Sequence, residues 1–254
     1  MMKKIMGFAG LARPANLPTA AADILAGISL ALFSLKTGTL QFYVENGGGV
    51  LSLVFSSVFL YAGGVVFNDV FDAKLDALER PERPIPSGLV PKQQAILWGT
   101  LLLAFGLSLA FWVNILSGKI AVTLTIAIMV YDGLAKNYSF YESLVMGICR
   151  GLNLLLGMSI LGKIDLWWVS IIPVIYIFAI TLISRGEVHG NNRKQIVIAG
   201  ILYALVLLFI TFSISLKTMN LLQSLPFVLL LGFLVFRPLW AAYQSNSRKT
   251  LKKR

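Results

Sequence analysis

Residues 48–76 of the chain read GGVLSLVFSSVFLYAGGVVFNDVFDAKLD, and this stretch combines the two features that decide the fold. Its first part is an apolar run of about 20 residues, the length that crosses a bilayer as a helix. Its second part places Asn68 and three aspartates directly after that run. The sequence therefore predicts a membrane-spanning helix with an acidic cluster at one end.

The rest of the chain repeats the apolar pattern. Of its 254 residues, 57% are hydrophobic and only 13% are charged, whereas a soluble domain carries about 25% charged residues. Apolar segments fall at about 17–38, 48–71, 92–115, 119–135, 141–161, 166–184, 195–216 and 221–243. They predict an all-α, polytopic transmembrane helical bundle of about eight helices, with a range of about seven to nine. We expect residues 1–254 to form a single membrane domain with a cytoplasmic polar cap.

The basic residues are distributed unevenly between the two ends of these segments. If the number of helices is even, 16 of the 22 Lys and Arg residues lie on the side that holds both termini, and four lie on the other. Cytoplasmic loops carry such an excess, so we expect both termini, including a basic tail at 245–254, to be cytoplasmic in the inner membrane. Membrane topology accounts for the formal net charge of +11, and nucleic acid is not an expected partner.

The acids after the second apolar run share a helical face if the helix continues. Asp69, Asp72 and Asp76 are then spaced i, i+3 and i+7. Three neighbouring carboxylates favour a cation between them, and Mg²⁺ is commonly held by one or two carboxylates together with substrate phosphates. The alternative is a solvated acidic helix end that pairs with Lys74 and Arg80.

A proline-rich segment follows the acids, with the sequence RPERPIPSG at residues 80–88. Three prolines and a glycine predict an ordered, non-helical loop. Two guanidinium groups on this loop, those of Arg80 and Arg83, suit the oxygens of a diphosphate.

Together these motifs resemble a known family. The pattern Asn68-Asp69-x-x-Asp72-x-x-x-Asp76, followed by Arg83-Pro84-Ile85-Pro86-Ser87-Gly88, is similar to the first signature of the UbiA superfamily of intramembrane prenyltransferases. Arg13-Pro14-Ala15-Asn16 before the first long helix, and Tyr131 with Lys136, resemble the same family. The resemblance implies Mg²⁺-dependent transfer of an isoprenyl group from a prenyl diphosphate to an acceptor within the lipid bilayer.

The resemblance also implies roles for particular residues. Asp69, Asp72 and Asp76 are expected to bind Mg²⁺ and diphosphate, and Asn68 to orient the substrate. The cationic contacts of the diphosphate are expected to be Arg83, Lys136 and Arg185. Substrate contacts are expected from Arg13 and Asn16.

The family's second motif, Asp-x-x-x-Asp, is altered in this chain. The stretch SRGEVHGNNRK at 184–194 places Glu187 and Asn191 at the two acidic positions. We expect both to complete the opposite side of the site, Glu187 as a metal ligand, with a metal site weakened by the lost carboxylate. This stretch, with Cys149-Arg150-Gly151-Leu152-Asn153, resembles the EboC-like branch of the family, which is associated with a small bacterial operon whose other products are candidate partners.

Two polar residues lie inside the fifth apolar segment. Arg150 and Asn153 are three apart and therefore share a helical face. Arginines at membrane depth face the bundle interior or a wet cavity, so we expect this pair to lie below the diphosphate site, toward the acceptor. The alternative is a structural pairing of Arg150 with a carbonyl or carboxylate. Three glycines of this segment are predicted to serve helix packing, namely Gly147, Gly151 and Gly157.

Three other functions remain open. Asp132-Gly133-Leu134-Ala135-Lys136 faintly resembles the opening of the CDP-alcohol phosphotransferase signature, although the later positions are missing. A transporter or lipid-binding protein would concentrate its polar residues near the midplane. A family member that binds prenyl diphosphate without turnover is the third. The acceptor is not readable from the sequence; acceptors in the family include aromatic acids, quinone precursors, haem, chlorophyllide and glycerol ethers.

Overall fold

The computed structural model describes residues 2–35, 39–189, 193–218 and 221–251, and within these ranges the chain is helical with no β-strand. The α-helices of the described ranges are α1 Met2–Leu11, α2 Leu17–Leu35, α3 Thr39–Glu45, α4 Gly47–Glu79, α5 Lys92–Val113, α6 Ile115–Gly133, α7 Ser139–Met158, α8 Ile171–His189, α9 Arg193–Thr218 and α10 Leu221–Leu251.

Each of the eight predicted apolar segments coincides with one of the long helices, so the predicted polytopic helical bundle is confirmed. Seven helical stretches of the described residues are long and apolar enough to cross a membrane, and Trp167–Thr181 is a shorter apolar helix. The short helices α1 and α3 were not predicted. Large apolar side chains remain exposed along the outer side of α5, as a lipid-facing surface requires; they include Leu97, Leu101, Phe105 and Trp112.

The chain divides into two compact units, Met1–Tyr138 with Ile148–Ser170, and Ser139–Gly147 with Ile171–Arg254. In the first unit, α4 packs against α2, α5 and α6, around fully buried side chains such as those of Leu53 and Leu60. In the second unit, α9 packs against α8 and α10, where the rings of Tyr176 and Tyr203 lie 5.4 Å apart. The single domain predicted for residues 1–254 stays a prediction, as does the cytoplasmic tail at 245–254, although α10 is helical as far as Leu251.

Helices α2 and α7 cross with their backbones in contact. A Cβ atom added to Gly157 would collide with the carbonyl oxygen of Ile24, and one added to Gly27 would collide with that of Leu154. Small residues let membrane helices approach this closely. The predicted packing role of Gly157 is therefore confirmed, and this crossing fixes the position of the polar residues that α7 carries.

The variant Gly157→Ala is expected to lower stability by about 1–3 kcal/mol, because the added methyl group has no space at this crossing. Thermal unfolding of the purified protein measures the change. Gly48→Ala is the matched control, since a Cβ at Gly48 contacts nothing within 4 Å and alanine favours the helix by about 1 kcal/mol. Equal unfolding temperatures for the two variants would contradict the close packing.

Helix α4 does not stop where its apolar run stops. It spans 33 residues and continues through the acids to Glu79, after which the proline-rich loop returns the chain to α5. Backbone hydrogen bonds order this loop, from Ser87 N to Arg83 O at 3.0 Å and from Val90 N to Pro84 O at 2.9 Å. Gly88 adopts φ +75°, a conformation that suits glycine. The predicted ordered, non-helical loop is confirmed, and it holds Arg83 beside the acids.

Candidate functional site

The acids of α4 form one face, as their spacing predicted. Asp69 and Asp76 are 5% and 4% exposed, and the side chain of Asp72 is 25% exposed. We call these three residues the acidic face. The cations that contact it come from three separate segments, and they differ from the Lys74 and Arg80 pairing considered as the alternative.

Arg83 bridges two members of the acidic face. Its Nη1 lies 3.2 Å from Asp69 Oδ1 and 2.7 Å from Asp76 Oδ2. Burial alone lowers the pKa of Arg83, but the hydrogen bond to Asp76 and the charges of Asp69 and Asp76 outweigh it, so the pKa is raised above its ordinary value. Arg83 therefore remains positively charged and holds two buried carboxylates close together.

Arg13 reaches the same carboxylate from the turn between α1 and α2. Its Nη2 donates to Asp69 Oδ1 at 2.6 Å. Arg13 has φ 44°, the one positive φ of a non-glycine residue in the described part of the chain, and such a conformation is uncommon. Asn16, predicted as a substrate contact, is exposed in the following 3₁₀ turn, where its carbonyl accepts from Thr19 Oγ1 at 2.7 Å. The structure thus brings Arg13, but not the Asn16 side chain, onto the acidic face.

Lys136 supplies the third cation. It lies in the short 3₁₀ helix Ala135–Asn137 after α6, and its Nζ is 2.5 Å from Asp72 Oδ1. The same Nζ lies 5.8 Å from the centre of the Phe71 ring, within the range of a cation–π contact. The structure therefore brings together Asp72 and Lys136, both predicted site residues.

Asp132 was missed as a member of this site by the sequence interpretation, which weighed it only as part of another enzyme signature. It is 2% exposed, and its Oδ1 accepts from Asn68 Nδ2 at 2.8 Å. An acid within an apolar run is itself a signal, because ionisable residues at membrane depth are costly and usually functional. We call the whole group the polar cap; its members are Arg13, Asn68, Asp69, Asp72, Asp76, Arg83, Asp132 and Lys136.

The polar cap has the chemistry for a hard cation shared with a ligand. Three of its four carboxylates contact its three cations, and the fourth, that of Asp132, accepts from the amide of Asn68. Among the described residues, no three acids, histidines or cysteines lie close enough to hold a metal ion by themselves. The carboxylates and cations of the cap suit Mg²⁺ bound together with a substrate diphosphate, since one or two carboxylates and substrate phosphates commonly hold this ion.

The second motif begins at the end of α8. Arg185 and Glu187 belong to α8, but their side chains lie outside the described residues, as does the whole of Asn191. Their expected contacts to diphosphate and metal stay predictions.

A second polar cluster lies within the first unit, among α2, α4 and α7. Arg150 Nη1 is 3.0 Å from Asp23 Oδ2, and Asn153 Nδ2 donates to the same oxygen at 3.1 Å. The expected common face of Arg150 and Asn153 is confirmed, and the partner of Arg150 is a carboxylate. We call Asp23 and Arg150 the inner pair.

Proteins of similar sequence carry the name digeranylgeranylglyceryl phosphate synthase. The chain is 31% identical over 216 residues to digeranylgeranylglyceryl phosphate synthase of Saccharolobus solfataricus. This alignment covers 75% of this chain and 76% of that protein. The chain is 29% identical over 181 residues to the protein of the same name from Methanoregula boonei. That alignment covers 71% of this chain but only 59% of the relative's length.

Solved structures share the fold. A structure from work on digeranylgeranylglyceryl phosphate synthase in membranes matches with a TM-score of 0.71 at 22% identity, over 96% of this chain and 92% of that one. A UbiA homologue from Archaeoglobus fulgidus, bound to DMAPP and Mg²⁺, matches with a TM-score of 0.59 at 14% identity, over 94% and 96%.

The family profile described as UbiA prenyltransferase matches residues 24–254, nearly the whole chain. The prediction of a prenyltransferase-type enzyme is confirmed at the level of the family. The EboC-like branch stays a prediction, since the relatives found are named as digeranylgeranylglyceryl phosphate synthases. With the helical bundle and its polar cap, the profile leaves one conclusion: this chain belongs to the UbiA prenyltransferase family.

Proposed function

We propose that this chain transfers an isoprenyl group from a prenyl diphosphate to a glyceryl phosphate lipid within the membrane. The observation that carries the proposal is the polar cap, in which the acidic face of α4 is contacted by Arg13, Arg83 and Lys136 from three separate segments. A diphosphate bound there has cations for its oxygens, and its isoprenoid tail has an apolar bundle beneath it.

The residues of the polar cap act on the leaving group. When the bond between C1 of the prenyl group and the diphosphate oxygen breaks, the diphosphate leaves with the electron pair. Arg13, Arg83 and Lys136 stabilise the charge that develops on it. Mg²⁺ bound with Asp69 and Asp72 would neutralise the same charge as a Lewis acid.

The apolar helices protect the other product of that bond cleavage. The allylic cation must react with the acceptor before it reacts with water, so a dry site is required. An acceptor hydroxyl oxygen then bonds to C1, and its proton passes to the released diphosphate. Buried side chains beneath the cap, among them those of Leu60 and Val66, exclude water from this region.

The choice of acceptor is supported by the names of the relatives, which are synthases of a glyceryl phosphate lipid. We also propose that the polar cap faces the cytoplasm. Most of the Lys and Arg residues lie in the loops at the same ends of the helices as the cap, and cytoplasmic loops carry such an excess of positive charge. The EboC-like branch stays a prediction and leaves the acceptor open.

The test uses the purified chain in nanodiscs with Mg²⁺. It is supplied with prenyl diphosphates from dimethylallyl to geranylgeranyl and with geranylgeranylglyceryl phosphate, and the lipid products are measured by mass spectrometry. We expect a product heavier by one prenyl group with the wild type and none with the double variant Asp69→Asn/Asp72→Asn. Mg²⁺-dependent binding of the diphosphate without any product would overturn the transferase proposal in favour of a binding protein. Prenylation of another acceptor, with geranylgeranylglyceryl phosphate unreacted, would overturn the proposal that the acceptor is a glyceryl phosphate lipid.

A further inference from the structure

The inner pair is a charged contact deep inside an apolar bundle. Along α4, twelve residues, or about 18 Å at about 1.5 Å per residue, separate Asp69 of the polar cap from Ser57, which donates to Asn153. Arg150 precedes Asn153 by one turn of α7, which begins at the cap end of the bundle, so its backbone lies about 13 Å below Asp69. This distance exceeds the size of a diphosphate group. An anion bound at Arg150 would therefore belong to a different part of the substrates than the diphosphate at the cap.

A fixed scaffold holds the inner pair in place. Asn153 is 6% exposed, and its Oδ1 accepts from Ser57 Oγ at 2.6 Å. Its Nδ2 donates to the carbonyl of Ala20 at 3.1 Å as well as to Asp23. The amide thus connects three helices, and it orients the carboxylate that in turn orients Arg150. Such second contacts are typical of preorganised binding groups.

The inner pair is nevertheless open to its surroundings. The side chains of Arg150 and Asp23 are 28% and 20% exposed. Among the described residues, Arg150 makes one ion pair, through Nη1 alone, whereas a guanidinium has five N–H donors. A charged group at membrane depth is stable only when it contacts water, a charged partner or a polar ligand. The remaining donors of Arg150 form the fork that suits a phosphate.

We infer that Arg150, oriented by Asp23 and Asn153, binds the phosphate of the glyceryl phosphate lipid acceptor and so selects phosphorylated over neutral acceptors. The identity of the acceptor rests on the proposed function. The preference for a phosphorylated lipid rests on three observations: the partly exposed guanidinium of Arg150, its depth in the bundle, and the contacts of Asp23 and Asn153 that hold it in place. Asp23 moderates the affinity, since its negative charge lies beside the bound phosphate.

The inference is tested by binding without a donor substrate. Nanodiscs containing the wild type or a variant are titrated with geranylgeranylglyceryl phosphate and with geranylgeranylglycerol, its neutral counterpart. We expect the wild type to prefer the phosphate lipid at least tenfold, and Arg150→Gln to abolish that preference. Asp23→Asn removes the neighbouring negative charge and is expected to tighten phosphate binding several-fold.

Arg150→Gln is expected to weaken binding of the phosphate lipid and Asp23→Asn to tighten it. These opposite changes in affinity distinguish anion recognition from a purely structural ion pair. A structural pair predicts that both substitutions weaken binding of both lipids and lower the unfolding temperature alike, and that result would overturn the inference. So would equal affinity of the wild type for the two lipids. The matched control is Lys163→Gln, which removes a cation from an exposed pair with Asp165 and should change neither affinity.

Turnover measurements keep this inference distinct from the proposed function. If transfer occurs, Arg150→Gln should raise the KM for the acceptor at least tenfold while the KM for the prenyl diphosphate stays unchanged. Phosphate-selective binding by a wild type that forms no product would reject the transferase and leave the role of Arg150 intact. Transfer that is indifferent to Arg150→Gln would reject only the role of Arg150.

Discussion

Replacing Arg83 with methionine is expected to destabilise the protein and to abolish prenyl transfer. The guanidinium is the cation that Asp69 and Asp76 share, at 3.2 and 2.7 Å, and both carboxylates are nearly buried. Removing one partner of a buried ion pair leaves an uncompensated charge, which costs about 3–5 kcal/mol. Because the Arg83 side chain is 22% exposed, we expect the lower end of that range, about 3 kcal/mol.

The measurement is thermal unfolding in detergent, together with the transfer assay. Arg80→Met is the matched control, because Arg80 is an exposed arginine at the start of the same loop. Its replacement should leave the unfolding temperature nearly unchanged. If Arg83→Met and Arg80→Met unfold at the same temperature, the bridge between the two carboxylates does not stabilise the cap.

The variant Asp72→Asn is expected to lose turnover while keeping the fold. Asp72 is the most exposed member of the acidic face, and its side chain is 25% exposed. Its ion pair with Lys136 should therefore contribute only about 0–1 kcal/mol to stability. In the proposed reaction Asp72 binds Mg²⁺ and diphosphate and so acts on the leaving group directly, and we expect kcat to fall by about 10²- to 10³-fold.

A titration of Mg²⁺ at saturating substrates distinguishes the cause of that loss. Asp72→Asn should require more Mg²⁺ for its residual activity, because an amide binds the ion less well than a carboxylate does. Asp165→Asn is the matched control, an acid-to-amide change in an exposed ion pair. Unchanged kcat and Mg²⁺ dependence in Asp72→Asn would remove Asp72 from the site.

The sequence predicted the acidic face because helical spacing is a local property. Asp69, Asp72 and Asp76 needed only a helix that continues past its apolar run, and α4 does so. The proline-rich loop was predictable for the same reason, since proline and glycine act on their own backbone. Which cation contacts which acid was not predictable, because Arg13 and Lys136 meet α4 from 56 and 64 residues away.

Two acids inside apolar runs were not predicted to belong to a polar site. Asp23 and Asp132 are single acids within apolar runs, so no local spacing marked them as site residues. Their partners, Arg150 and Asn68, lie on other helices, and only the tertiary packing brings them together. For Arg150 the sequence left the partner open between a carbonyl and a carboxylate. Isolated charges within membrane segments would have been the signal to follow.

Helix α4 is longer than the membrane is thick. Its 33 residues extend about 50 Å at about 1.5 Å per residue, against a hydrocarbon core of about 30 Å, so its acidic end reaches the head-group region. In the proposed reaction, a donor anchored there would extend its hydrocarbon tail along the same helix into the bilayer, and each added five-carbon unit would lengthen only the part inside the bilayer. Head-group recognition and chain-length preference are therefore separable traits. Exchanging the residues of the polar cap between relatives should therefore change the recognition of the head group and leave the chain-length preference unchanged.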